Sequence, residues 1–226
     1  MGTSKGYIAP TKPEWTQTKR AISSMLKDPS SSNIAKTVDR YANALQVDNF
    51  SSSSFPSTIG NFIGLVNSVR ANGVDGALRE HGFENLIGKS NDEILNSLLN
   101  HYSNGNGTID DNLIIDCLSN IMDIFTIDSL EDFNQITNEQ LLIELVINYT
   151  QLKFEQMFEE KIRADRSPTE GSRIMSDVKN YLRDHLQDNL TISDLSNIDF
   201  MNIQGQNFII ETCRSAYALL RTYDEE

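Results

Sequence analysis

The sequence predicts an all-α protein, a multi-helix bundle of about eight to ten helices behind a flexible, extended N-terminal arm. Two observations carry this. Apolar residues recur at three- and four-residue spacing along nearly the whole chain, and the strict alternation of a half-buried strand occurs almost nowhere. The breaks between these stripes carry helix start and stop signals, with Ser or Thr three residues before Glu or Gln, and Gly or Pro at the ends. At 226 residues the chain can form one large domain or two small ones and can bury a real core. The expected organisation is an arm over residues 1–13, N-terminal helices over 14–56 and an acidic helical core over 57–226.

Residues 1–15 hold two glycines, two prolines and few apolar side chains, too little to bury, so they read as an arm. Pro13 opens the first helix, whose face is Trp15, Ile22, Met25 and Leu26, and Pro29 stops it. Ile34, Val38, Tyr41 and Leu45 mark a second helix. The stretch "SSSSFPS" reads as a loop before a third stripe of Ile59, Phe62, Ile63, Val66 and Val69. A short helix around Ala77–Leu78, a turn at Gly82 and another short apolar piece follow. Ser90 with Glu93 forms a capping box ahead of Ile94, Leu95, Leu98 and Leu99. "SNGNG" is a loop, and Thr108 caps a helix buried through Leu113, Ile114, Cys117, Leu118 and Ile121. The longest helix starts after the Thr137 and Gln140 box and runs about seven turns through Leu141, Leu145, Tyr149, Leu152, Phe158 and Ile162. Pro168 breaks it. Ile174, Val178, Leu182 and Leu186 form the next helix, "NIDFMNIQG" is irregular, and Phe208, Ile209, Cys213, Ala216 and Leu220 form the last.

Net charge is −13, unevenly spread. Residues 1–70 hold eight Lys/Arg against four Asp/Glu, while residues 71–226 hold eleven against twenty-eight, and no Lys or Arg occurs from Ser90 to Leu152. Phosphate binding needs clustered cations, so direct nucleic-acid binding is not expected. A basic protein partner or simple solubility fits the acidity better. No apolar run approaches transmembrane length and no secretory apolar segment opens the chain, so no membrane association is expected. Cys117 and Cys213 fall on apolar stripes and read as reduced, buried thiols, which makes the cytoplasm the expected compartment. Gly6 stands where N-myristoylation wants Ser or Thr.

Little chemistry is legible, and neither catalytic residues, metal ligands nor a cofactor is expected. His81, His101 and His185 show no metal-ligand spacing, and no Cys-x-x-Cys occurs. His101 reads as a residue suited to a helix C-terminus, and His185 lies on a solvated face beside Arg183 and Asp184. The neighbouring acids Asp110–Asp111 and Glu159–Glu160 point about 100° apart on a helix and do not converge on one ion. Phosphate-cradling glycines, a nucleophile elbow and the ligand spacing of a calcium loop are all missing. A cryptic hydrolase would need side chains that converge only in the fold.

The arm offers more. Removal of Met1 before the small Gly2 leaves a glycine amine, the least hindered α-amine a chain can present. Thr3 and Ser4 supply hydroxyls for docking, Gly6 permits close backbone approach, and Pro10 and Pro13 stiffen the stretch behind them. Lys5 and Lys12 make it basic against the acidic body.

The opening "MGTS", the Pro13-x-Trp15 pair, "GVDGALREHGFENLIGKSNDEILNSLLNHY", "TIDDNLIIDCL" and "ITNEQLLIELVINYTQLKFEQMFEEKI" together resemble the QatB component of Qat anti-phage defence systems. The segment between Ser4 and Trp15 is shorter and less Gly-rich than that family leads one to expect. The resemblance implies a chain encoded beside a QueC-like enzyme, an ATPase and a TatD-like nuclease. It further implies that the QueC-like partner joins a 7-deazapurine to the α-amine of Gly2, with Thr3 and Ser4 as recognition contacts; Gly6 is added to these contacts for its close backbone approach, not from the resemblance. The chain would be the substrate rather than the catalyst. The alternative is a helical scaffold or adaptor for the ATPase or nuclease, with an unmodified tail.

Overall fold

The computed structural model describes residues 12–48, 54–103, 109–192, 195 and 198–221. Among the described residues every regular element is helical, as the periodicity predicts. There are eight α-helices: α1 (Pro13–Met25), α2 (Ser31–Asp48), α3 (Phe55–Glu80), α4 (Asn91–Ser103), α5 (Ile109–Phe125), α6 (Asn138–Arg163), α7 (Pro168–Asn189) and α8 (Ile203–Leu219). Short 3-10 turns occupy Glu84–Leu86 and Leu130–Gln135. Residues 1–11 of the expected 1–13 arm, residues 51–53 and 104–107 of the expected loops, and the Thr108 cap lie outside the described residues. No helix among the described residues is long and apolar enough to cross a membrane.

The chain forms two compact units, each assembled from separate stretches. The first unit gathers Met1–Asn49, Thr150–Leu190 and Arg214–Glu226, and the second Phe50–Tyr149 and Thr191–Cys213.

In the first unit α1 packs on α2, and α2 on α7. Pro13 needs no N–H partner at the first helical turn, and Trp15, Thr18, Ala21, Ile22 and Met25 form the buried face. The Thr18 hydroxyl donates to the Arg40 carbonyl of α2 at 2.9 Å, so this buried polar group is satisfied. Tyr41 fills the centre, edge-on to Phe154 at 5.1 Å and to Phe158 at 6.2 Å, and its hydroxyl donates to the Thr150 carbonyl at 2.9 Å. Helix α6 ends at Arg163, with Asp165 at φ 59° just beyond it, and Pro168, expected to break α6, instead opens α7, where the Ser167 side chain accepts the Glu170 N–H at 3.2 Å.

In the second unit α3 begins inside the stretch expected to be a loop. Pro56 is preorganised for a first helical turn, and Phe55 is fully buried, stacked on Tyr149 with centroids 4.0 Å apart. Gly73, at φ 70° and ψ 173°, breaks α3 before its Ala77–Leu78 segment, a conformation that a side chain would strain. The Ser90–Glu93 and Thr137–Gln140 capping boxes both form. A further box that the sequence reading did not identify, Ser129 with Asp132, opens the second 3-10 turn.

Arg70 holds that turn from α3. Its guanidinium donates to the Phe133 carbonyl at 3.1 Å, to the Ile136 carbonyl, to Asn138 Oδ1 and to Asn67 Oδ1 at 2.8 Å. Burial lowers its pKa, opposed by the charge of Glu139. Cys117 and Cys213 are buried and unbridged as expected, and desolvation pushes the Cys117 thiol far above its ordinary range. Along α6 every residue from Leu145 to Gln151 is buried, beyond the single face predicted for it, and Leu152 is only partly covered.

Candidate functional site

Gly2, Thr3, Ser4 and Gly6 lie outside the described residues, so the structure bears on the arm through the residues that root it. The description begins at Lys12, whose ammonium meets Asp48 Oδ1 at 2.7 Å. Three residues on, the Trp15 indole N–H donates to Asp48 Oδ2 at 2.6 Å. Asp48 is the last residue of α2, where a carboxylate faces the negative end of the helix dipole. One carboxylate there serves both the cation and the indole donor, which offsets that misplacement.

The Trp15 ring is 1% exposed and lies 6.1 Å from Tyr41 and 6.3 Å from Phe158. At the other end of α1, Arg166 donates to the Leu26 carbonyl at 2.8 Å, satisfying one of the orphan acceptors of the helix end. Helix α1 is therefore pinned at both termini. Sequence reasoning missed Asp48 because its partners stand 33 and 36 residues away. The available signal was an acid at a helix C-terminus with no cation in that last turn.

The histidines assemble no catalytic arrangement. The Ser68 hydroxyl lies 3.0 Å from His81 Nε2 and 2.9 Å from Glu80 Oε2. The carboxylate thus meets the hydroxyl directly, rather than orienting the imidazole through its other nitrogen as a triad requires. These groups, with Asn72 donating to Glu80 at 3.1 Å, clasp the two sides of the Gly73 break. Burial lowers the His81 pKa, opposed by the Glu80 charge. His101 sits in the last turn of α4 as expected, between the rings of Phe83 and Tyr102. His185 stacks on Tyr181, and its Nε2 donates to the Leu219 carbonyl at 3.0 Å, closing the end of α8.

One acid of each neighbouring pair has a polar partner among the described residues. Asp111 is buried and accepts the Ser54 hydroxyl at 2.6 Å, and Glu159 accepts from Arg163 at 2.8 Å. Among the described residues no three His, Cys, Asp or Glu side chains converge to hold a metal ion. A groove of about 380 Å³ beside α6 and α7 contains Lys179 and Arg163. Lys179 already faces Glu155 at 2.7 Å, and Arg163 faces Glu159 and Ser172.

A comparison with known protein families matches residues 50–220 to the family described as the Qat anti-phage system associated protein QatB. No curated protein and no solved structure matches the chain. The matched span covers well over half of the 226 residues and includes all of α3 to α8. The chain belongs to the QatB family, a component of Qat anti-phage defence systems.

Proposed function

We propose that this chain is a non-enzymatic component of its defence system and the protein substrate of a QueC-like partner in the cytoplasm. The arm, residues 1–13, delivers Gly2 to that enzyme once Met1 is removed. The α-amine attacks the activated carbon of a 7-deazapurine. The N–C bond forms as the activating group leaves with its bonding electrons, and the amine proton passes to a solvent base. An α-amino pKa near 8 leaves a useful fraction of neutral amine at neutral pH. Thr3, Ser4 and Gly6 are the recognition contacts. The ATPase and the TatD-like nuclease are further partners.

The observation that supports this reading best is the rooting of the arm. Lys12 and Trp15 share Asp48, so the segment ahead of them leaves from a fixed point. Ten residues separate Gly2 from Lys12, and covalent geometry caps their span at roughly 35 Å. A partner that modifies Gly2 must therefore hold its active site within that radius of the Lys12 backbone.

The test is the intact mass of the chain coexpressed with the QueC-like enzyme. The expected mass exceeds that of the Met-cleaved chain by the deazapurine group, and Gly2→Pro abolishes the increment. An unchanged mass beside a demonstrably active partner overturns the proposal. Full phage resistance after deletion of residues 2–8 favours the adaptor reading instead.

A further inference from the structure

The second unit carries almost all of the net charge. Phe50–Tyr149 and Thr191–Cys213 hold three Lys/Arg against seventeen Asp/Glu, a net of −14, whereas the first unit holds sixteen against fifteen. One of those three cations, Arg70, is taken up by backbone carbonyls. The same unit contains three of the four exposed large apolar side chains among the described residues. Two of them lie together where α8 begins, Met201 at 48% exposure in the turn before it and Ile203, its first residue, at 76%.

That turn is held rigidly. Phe200 is 1% exposed and anchors it. Asp199 Oδ1 accepts the Met201 N–H at 3.0 Å, and Asn202 Oδ1 accepts the Gly205 N–H at 3.0 Å as the cap of α8. Gly205 lies so close to the turn that a Cβ would come within 2.3 Å of the Asp199 carbonyl oxygen. The Met201 side chain seats over Gly64 of α3. Local bonding and close packing thus fix an apolar tip in water, beside the exposed carboxylate of Asp199. The apolar surface that Met201 and Ile203 leave in water contributes nothing to the stability of the isolated chain, since stabilisation requires its removal from water.

We propose that this tip is a docking surface for a protein partner that offers an apolar pocket rimmed by Lys or Arg. The inference rests on the chain acting beside other proteins of its system, but not on modification of Gly2. Charge selects the occupant. A unit at −14 repels nucleic acid and anionic membranes, and a second copy of a chain at −13 repels the first. A cationic rim turns the same charge into attraction and accelerates encounter.

The experiment measures binding of the purified full-length chain to each of three probes, the co-encoded QueC-like enzyme, ATPase and TatD-like nuclease, by interferometry at low and high salt. One of the three is expected to bind, with affinity that falls as salt rises. The Met201→Asp/Ile203→Asp double variant weakens that binding at least ~10-fold, the scale of two lost apolar anchors. Met201→Leu/Ile203→Leu stays within about threefold, by the tolerance of conservative apolar exchange. If the double variant fails to melt like the parent, Ile203→Asp alone carries the same expectation. Undiminished affinity in the Asp variants overturns the proposal, as does salt-insensitive binding or no binding to any of the three. So does a duplex DNA or an anionic vesicle that binds and loses affinity on the same substitutions. Deleting residues 2–8 leaves the affinity unchanged, so failure of this surface and failure of the Gly2 reading are separate results.

Discussion

Replacing Asp48 tests the rooting of the arm directly. In Asp48→Ala the Trp15 indole N–H, donating at 2.6 Å from a ring that is 1% exposed, loses its acceptor. A buried donor left unpaired costs about 1–3 kcal/mol. The Lys12 contact adds little, because that side chain is 52% exposed and surface ion pairs contribute about 0–1 kcal/mol. Removing a carboxylate from the C-terminal end of α2 returns about 0.3–1 kcal/mol. The net expectation is a loss of roughly 1–2 kcal/mol. In Asp48→Asn the amide oxygen still accepts from the indole, so the loss shrinks to under about 1 kcal/mol. Trp15 is the single tryptophan in the chain, so its emission during urea unfolding reports this site alone. At this chain length a loss of 1 kcal/mol lowers the melting temperature by about 2–4 °C. Equal midpoints for Asp48→Ala and the parent would refute the clasp. An Asn variant as unstable as the Ala variant would show that charge, not the indole bond, is what matters.

Arg70→Met should cost about 2–4 kcal/mol, because it strips the Ile136 carbonyl and Asn138 of this donor together, while the Phe133 carbonyl keeps the Ile136 N–H. Arg70→Lys, with a point charge in place of a planar fork, should fall between; far-UV circular dichroism in urea measures both. The lowered pKa of His81 gives stability that is fully present above pH 6.5, the ordinary value, and is lost as pH falls through the folded value. The His81→Gln variant should therefore lose less stability between pH 7.5 and pH 5.5 than the parent does, and parallel melting curves across that range would contradict the assignment.

What the sequence made legible is what local physics decides. Stripes at helical spacing placed the cores of all eight helices, and two capping boxes marked the starts of α4 and α6 because their bonds close within four residues. The Ser129–Asp132 box escaped because a shorter Asp stands where Glu or Gln is usual. Phe55 escaped because four serines before it suggested a loop, while its stacking on Tyr149 joins residues 94 positions apart. Val146, Ile147, Asn148, Thr150 and Gln151 fall off the predicted α6 face, since a single stripe cannot describe a helix buried all round over Leu145–Gln151. At the candidate site, the sequence pointed to Gly2 through its neighbours in the chain, whereas Asp48 depends on how α1 lies against α2. Tertiary pairing of that kind leaves no periodic signature.

The charge division follows from the same separation of local and distant causes. Along the chain the excess of acid begins after residue 70. Assigned to the two units, it divides differently, because Thr150–Leu190 and Arg214–Glu226 return nine cations to the unit that holds α1 and α2. The unit that roots the arm is thereby close to neutral at +1, a total that already includes Lys5 and Lys12. A basic partner is drawn to the second unit and gains nothing electrostatically from the first. The proposed Gly2 chemistry and the proposed attraction for a partner consequently belong to different parts of the molecule, so substitutions are expected to remove either one while leaving the other in place.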